Sequence, residues 1–321
     1  MNTFGTNFRV SIFGESHNKY IGVCIDGCKE GIHLTSDDFK ADLKKRQAEY
    51  KGGTKRREVD QPIIVSGVFN DYTTGMPITI LFENNDTVPS DYFNLKRYPR
   101  PSHSDFAAQK KYNNYNDYRG GGAFSGRMTV ALVAAGVVAK KTINNNIKIN
   151  TKLIKVHDST NIEAELETAI KKGDSIGGVV ECRISNVGIG YGDPFFNSFE
   201  SMLSHLIFSI PGVKGIEFGA GFEIAKMYGS EANDIIIDET GKTLTNCSGG
   251  INAGITNGND IVFRTAFRPT PSISITQKTI DLQTKEAVDL EIKGRHDVCF
   301  AVRTPIIVEN CAAIVLADFG C

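Results

Sequence analysis

The run 127-RMTVALVAAGVVAKKTI-143 is apolar on nearly every side when drawn as a helix. A surface helix keeps one polar face, so a helix without one has to be covered all round. Its continuous apolar part, Met128 to Ala139, is too short to cross a bilayer. The helix is therefore expected inside a folded core. Ser125 or Gly126 is the expected start, and Lys140 and Lys141 suit the negative end of its dipole.

The rest of the chain supplies strands to cover it. Phe8–Phe13 and Gly22–Asp26 read as strands, and Ile63–Phe69 with Ile78–Glu83 reads as an antiparallel hairpin with a long turn. Thr35, with Asp38 three residues on, opens a predicted helix to about Glu49. Further strands are expected at Ile147–Val156, Gly178–Ile184, Asp234–Ile237, Asp260–Ala266 and Ile273–Ile275, and further helices at Ile162–Lys172, 197–210 and about Thr304–Leu316. Helices and paired strands alternate without regular βαβ spacing, which indicates an α+β fold. No repeat or linker divides the 321 residues, so residues 1–321 are expected to form one domain. Residues 84–127 show no sustained period, and so long an irregular stretch is expected to carry function.

A formal net charge of −1 gives no global field for nucleic acid or an anionic membrane, so anion binding has to come from local clusters. The seven cysteines are scattered and odd in number, which suggests free thiols and a reducing compartment. Cys24, Cys182 and Cys299 sit among apolar residues and are expected in the core. The N-terminal segment shows no signal-peptide pattern, and the expected location is the cytoplasm. No metal site is expected.

Phosphate-loop, dinucleotide, zinc-protease and nucleophile-elbow signatures do not occur. Five segments instead join a turn to cationic or titratable groups. In 14-GESH-17 a histidine follows a strand end, where its alternative role is donation to a backbone carbonyl. In 100-RPSHSD-105, Asp105 is placed to orient His103 as an acid or base, the alternative being a simple Asx turn. In 119-RGGGAFSGR-127, glycines let amides converge at a helix start between forked cations, a pattern suited to phosphate or carboxylate. The turns 268-RPTPSI-273 and 294-GRHD-297 are weaker individually. Together the five describe a pocket for a compact, multiply anionic ligand with proton-moving groups beside it.

In these segments the sequence resembles the chorismate synthases. The likeness runs in order through FGESH (Phe13–His17), RREVD (Arg56–Asp60), ENNDTVPSDY (Glu83–Tyr92), RPSHSD, DYRGGG (Asp117–Gly122), GVKGIEFGAGF (Gly212–Phe222), CSGGINAGITNG (Cys247–Gly258), RPTPSI and GRHDVC (Gly294–Cys299). The resemblance implies a sandwich of helices between antiparallel β-sheets, assembled as a homotetramer. It implies an enzyme that converts 5-enolpyruvylshikimate 3-phosphate to chorismate and phosphate by anti-1,4-elimination, dependent on reduced FMN. His17 matches the histidine near the flavin, His103 the one near the leaving phosphate, and Asp297 the aspartate that removes the ring proton. Arg46, Arg100, Arg127 and Arg295 match substrate-binding arginines, with Lys51 standing for another. Ala123, Phe124, Ser125, Pro211, Gly212, Ala253, Arg268, Pro269, Thr270, Pro271, Ser272 and Arg295 match FMN-binding positions. No added reductase domain is visible, so reduced FMN is expected from an external reductase rather than from the chain's own use of NADPH.

The chain departs from the family pattern at three places. Asn18 replaces the glycine after GESH, Ser102 and Ser104 replace the glycine and alanine around His103, and Ala123 and Phe124 replace an arginine and a serine of the glycine-rich loop. The alternatives to the lyase are a non-catalytic flavin- or phosphate-binding relative and a sugar-phosphate hydrolase. Retention of His17, His103 and Asp297 speaks against the first, and the lack of a metal-ligand cluster or evident nucleophile against the second.

Overall fold

The computed structural model describes residues 2–47, 50–54, 56, 58–292 and 296–321. The chain opens with β1 (Thr3–Phe4), β2 (Arg9–Gly14) and β3 (Tyr20–Asp26), followed by α1 (Lys40–Arg46). Next come β4 (Ile63–Ser66), the small hairpin of β5 (Val68–Phe69) and β6 (Tyr72–Thr73), and β7 (Ile78–Glu83). Helices α2 (Asp105–Lys111) and α3 (Thr129–Thr142) precede β8 (Lys148–Val156), α4 (Ile162–Lys172), β9 (Gly178–Ser185) and α5 (Phe199–Ile207). The last part holds β10 (Val213–Phe218), α6 (Gly229–Ala232), β11 (Ile251–Asn252), β12 (Ile255–Thr256), β13 (Ile261–Phe267), β14 (Gln277–Ile280), β15 (Ala287–Leu290) and α7 (Pro305–Phe319).

Two larger antiparallel sheets result, beside two-stranded ribbons of β5-β6, β11-β12 and β14-β15. One runs β1-β2-β3-β7-β4 and the other β10-β13-β9-β8. Their inward faces alternate as half-buried strands should: in β7, Ile78, Ile80 and Phe82 are buried. Between the sheets lie two helical layers. Helix α3 packs on β2 and β3, α7 packs on β8 and β9, and the two helices pack on each other. Helix α1 joins the α3 side, and α5 joins α7 and β10. Residues Thr129 to Ala139 are buried without interruption, as an all-round apolar helix requires. At Gly136 an added Cβ would lie 2.2 Å from Asn310 Cβ, so glycine is what lets α3 and α7 approach closely.

The sequence expectation of helices between antiparallel sheets is met, and most strands fall within a residue or two. Three readings are corrected. Asp234–Ile237 is not a strand; it makes one bridge, Ile236 to Thr243, and Ile235, Ile236 and Ile237 are 52–69% exposed because no second layer covers them. Ile273–Ile275 is not a strand either; the pairing begins at Gln277, after the Pro-rich turn. The helix expected from Thr35 starts as a 3-10 turn (Ser36–Phe39), with the Thr35 N–H donating to Asp38 at 2.7 Å, before α1 begins. Cys182 and Cys299 are core residues as expected, whereas Cys24 is only half-buried, and all seven cysteines are free. Among the described residues no helix is long and apolar enough to cross a membrane.

Candidate active site

The connections around the sandwich, more than its strands, converge on a cavity of about 1140 Å³. Residues after α1, before α2, at the start of α3, before β10, after β13 and before α7 all line it. Lys44, Arg46, Lys51, Arg56, Arg100, Arg127, Arg268 and Arg303 line it against the carboxylates of Glu58 and Asp297. That excess of cations makes it an anion site.

The turn before α2 builds the first cluster. Arg100 grips Asp105 with both ends of its guanidinium (Nε to Oδ2 2.8 Å, Nη2 to Oδ1 2.9 Å), and its backbone N–H donates to the same carboxylate at 3.1 Å. Its third nitrogen, Nη1, donates to Ser272 Oγ at 3.0 Å. His103 Nδ1 lies 2.7 Å from Asp105 Oδ1 and 3.1 Å from Arg100 Nη2; the shorter contact to the carboxylate favours the proton on Nδ1, which leaves the Nε2 lone pair to accept. Burial favours neutral Asp105, yet the bonds from Arg100 and His103 hold its carboxyl well below the usual carboxylate range. Burial, opposed by Asp105 and helped by the Arg100 charge, lowers the His103 imidazole. Ser102 has φ 58°, a left-handed conformation that costs a serine and not a glycine. Its carbonyl accepts from Arg268 Nη1.

The glycine-rich loop builds the second. Gly120, Gly121 and Gly122 have φ 57°, 82° and 54°, so the loop needs three left-handed residues in succession. A Cβ on Gly120 would lie 2.2 Å from His17 Cε1, and one on Gly122 would lie 2.0 Å from the Asp117 carbonyl oxygen. The Gly122 carbonyl accepts from the Ser16 N–H at 3.1 Å, which ties this loop to the GESH turn. Arg56 donates to Ser16 Oγ at 2.9 Å, leaving the serine hydrogen for His17 Nδ1 at 3.2 Å. Tyr92 meets the His17 ring edge-on at 4.9 Å. Burial, with Arg56 and Arg119 nearby, lowers the His17 imidazole to about 4. Arg119 is occupied by Asp117, at 2.9 and 2.7 Å.

The third cluster is ionic and buried. Asp60 accepts from Arg46 on one oxygen and from Arg127 on the other, while Gln47 adds a bond of 2.7 Å. Burial works against the Asp60 charge, but the two guanidinium groups hold its carboxyl below the ordinary value. Arg127 also donates to Asn84 Oδ1 and to the Glu83 carbonyl. Opposite, Asp297 Oδ1 accepts from Tyr50 Oη at 3.1 Å and from the Thr54 N–H at 3.0 Å, with Arg303 Nη1 at 3.4 Å from Oδ2.

Thus Arg46, Lys51, Arg100, His103, Phe124, Ser125, Arg127, Pro211, Gly212, Arg268, Pro269, Thr270, Pro271, Ser272 and Asp297 are brought to one cavity. His17 lies beneath the glycine loop and is 8% exposed. Lys51 directs its ammonium to Glu167 at 2.7 Å. Ala123 and Ala253 are exposed and do not line the cavity, Ala253 being in the turn between β11 and β12. Arg295 lies outside the described residues. Sequence reading missed Tyr50 and Arg303, which no motif marks, and left Arg56 and Glu58 without a role although RREVD contains them. Two polar atoms of lining residues, Arg46 Nε and Thr270 Oγ1, are buried with no hydrogen-bond partner among the described residues. The fit to a phosphorylated cofactor or substrate comes from the lysine and arginine side chains that line the cavity against only two carboxylates among the described residues.

Comparisons with known proteins identify the family. A family model for chorismate synthase matches residues 8–320. The chorismate synthase of Chitinophaga pinensis is 54% identical over 319 residues, covering 99% of this chain and 96% of that protein. That of Thermococcus gammatolerans is 42% identical over 335 aligned positions, covering 96% of this chain and 94% of that one. A crystal structure of a chorismate synthase superposes with a TM-score of 0.75 at 26% identity, covering 98% of this chain and 91% of that chain. A match of this extent, over a site assembled from every part of the chain, means that the chain belongs to the chorismate synthase family.

Proposed function

We propose that the cavity binds 5-enolpyruvylshikimate 3-phosphate beside FMN and that His17, His103 and Asp297 move its protons. As a chorismate synthase the chain is a carbon–oxygen lyase of the shikimate pathway, on the route to aromatic amino acids, and its family is flavin-dependent. The observation that carries the assignment of residues is the pairing of a hydrogen-bonded Arg100–His103–Asp105 unit with a fixed Asp297 carboxylate across a strongly cationic cavity.

Arg46 and Arg127 are held rigid by Asp60, so they offer charge to the substrate without first being ordered. His103, held by Asp105, presents Nε2 to the leaving phosphate; the phosphate charge raises the imidazole's proton affinity at the place where a proton is needed. Asp297, engaged on Oδ1 by Tyr50 and Thr54, accepts the ring proton on Oδ2. Phe124, Ser125, Pro211, Gly212 and Arg268 to Ser272 would hold FMN, and Ala123, Ala253 and Arg295 are carried into that set by the family pattern alone. Reduced FMN, when bound, would lend electron density to the elimination and recover it, with no net redox change.

The same reading takes residues 1–321 as one working unit, supplied with reduced FMN by an external reductase. Seven free thiols support a cytoplasmic location. Phe195, Phe196, Phe222 and Tyr228 are 79–92% exposed, and such apolar surface supports assembly with further copies as a homotetramer.

The test is anaerobic. Purified protein, chemically reduced FMN and 5-enolpyruvylshikimate 3-phosphate are mixed, and chorismate absorbance and phosphate release are followed together. Equal amounts of both products are expected. Phosphate alone would indicate a hydrolase, and flavin binding without products a non-catalytic relative.

A further inference from the structure

The loop that follows α1 is stitched to the segment carrying Asp297 at three points. The Val298 N–H donates to the Gly52 carbonyl at 2.9 Å, the Thr54 N–H donates to Asp297 Oδ1 at 3.0 Å, and Tyr50 Oη reaches both Asp297 Oδ1 (3.1 Å) and the Cys299 carbonyl (2.7 Å). A phenol has one hydrogen, so Tyr50 cannot fully satisfy both acceptors at once. Burial first, and the Asp297 charge second, push the Tyr50 hydroxyl up, so it keeps its hydrogen throughout the working range. Arg303, the cation facing Asp297 among the described residues, is 3.4–3.5 Å away and makes only long contacts.

We propose that Tyr50 is a positioning residue for Asp297: with the Thr54 amide it engages Oδ1 and so commits Oδ2 to the cavity. The Cys299 carbonyl gives the tyrosine hydrogen a second place to rest. While Asp297 is anionic its charge draws the hydrogen into a bond shared between Oδ1 at 3.1 Å and the nearer Cys299 carbonyl at 2.7 Å. When Oδ2 takes a proton, the weaker acceptor at Oδ1 releases it toward Cys299. The carboxylate keeps its orientation through the cycle, and Tyr50 neither gains nor loses a proton. No sequence motif marks this residue, and its role here rests on the proposed one of Asp297.

The experiment uses Tyr50→Phe, Asp297→Asn and the double variant. Tyr50→Phe removes one hydrogen bond to a charged group while the Thr54 amide remains, so kcat should fall about tenfold. The Michaelis constant for substrate and the affinity for FMN, read by flavin fluorescence, should stay within about twofold. In the Asp297→Asn background the same change should cost nothing further, because the oriented carboxylate is gone. A direct signature is available without cofactor: the carboxyl carbon resonance of Asp297 in labelled protein should move in Tyr50→Phe at neutral pH. An unmoved resonance, or a full further loss in the double variant, would overturn the role of Tyr50. Normal turnover in Asp297→Asn would instead overturn the assignment of Asp297 itself, and the resonance would still report whether Tyr50 bonds to it.

Discussion

Ser102 shows how a single side chain departs from what its backbone asks. It sits at φ 58° just before His103, where the family pattern has glycine. Left-handed backbone costs a side-chain-bearing residue about 1–2 kcal/mol, so Ser102→Gly should raise unfolding free energy by about 1 kcal/mol in a urea titration. A loss of stability would mean that the serine side chain makes up for the strain. His17 gives a pH-dependent counterpart. Its folded imidazole is lowered to about 4, while the unfolded chain's stays near the ordinary 6.5, so between these values the unfolded state binds more protons. Stability is therefore lost as pH falls from 6.5 toward 4. His17→Gln should remove roughly 2 kcal/mol of that loss when unfolding is measured at both ends of the window. A slope identical to that of the unaltered protein would show that His17 does not titrate this way. Both positions were visible in the sequence as motif residues, but the strain at one and the buried, cation-flanked setting of the other depend on neighbours distant in the chain, Arg56 and Arg268 among them.

Among elements, the ones that bury a continuous face were legible. Helix α3 announced itself by having no polar side, and α4 by its period and its Gly173 end. What stayed illegible were β10 and the β14–β15 hairpin, and α2 inside the polar stretch. In β10, Gly215 interrupts the apolar alternation; in α2, Asp105 and Gln109 are buried by hydrogen bonds and not by apolarity. The site's cationic loops could be read as anion-binding, yet their mutual pairing could not, since Asp60 draws in Arg46 and Arg127 from 14 and 67 residues away. The glycine loop offers a test that separates its two demands. Gly122→Ala adds a clash at 2.0 Å with backbone to the cost of a left-handed residue, while at Gly121 the nearest atom to a Cβ is 3.5 Å away. Gly122→Ala should therefore destabilise more than Gly121→Ala, by at least about 1 kcal/mol, and should also lower turnover by displacing Ser16. Equal effects would show that the loop relaxes around the added methyl group.

At the scale of the whole molecule, the cavity draws on both sheets' connections, so the site exists only when the sandwich is assembled. An anion that binds it should stabilise the entire fold as one unit: saturating phosphorylated ligand should raise the thermal midpoint in a single transition, whereas a split transition would mean the halves unfold separately. If aromatic exposure marks contacts between copies, Phe196→Asp should shift sedimentation from tetramer toward smaller species while leaving the spectrum of the folded chain intact; an unchanged distribution would remove that residue from the interface. The shared carboxylate of Asp60 has a historical implication. Because one acid answers two buried bases, Asp60 is the member that neither can spare: replacing it leaves two guanidinium groups without the carboxylate they share, whereas loss of either arginine leaves the other still paired with it. Constraint on the trio is therefore unequal, resting most heavily on the acid that both bases share.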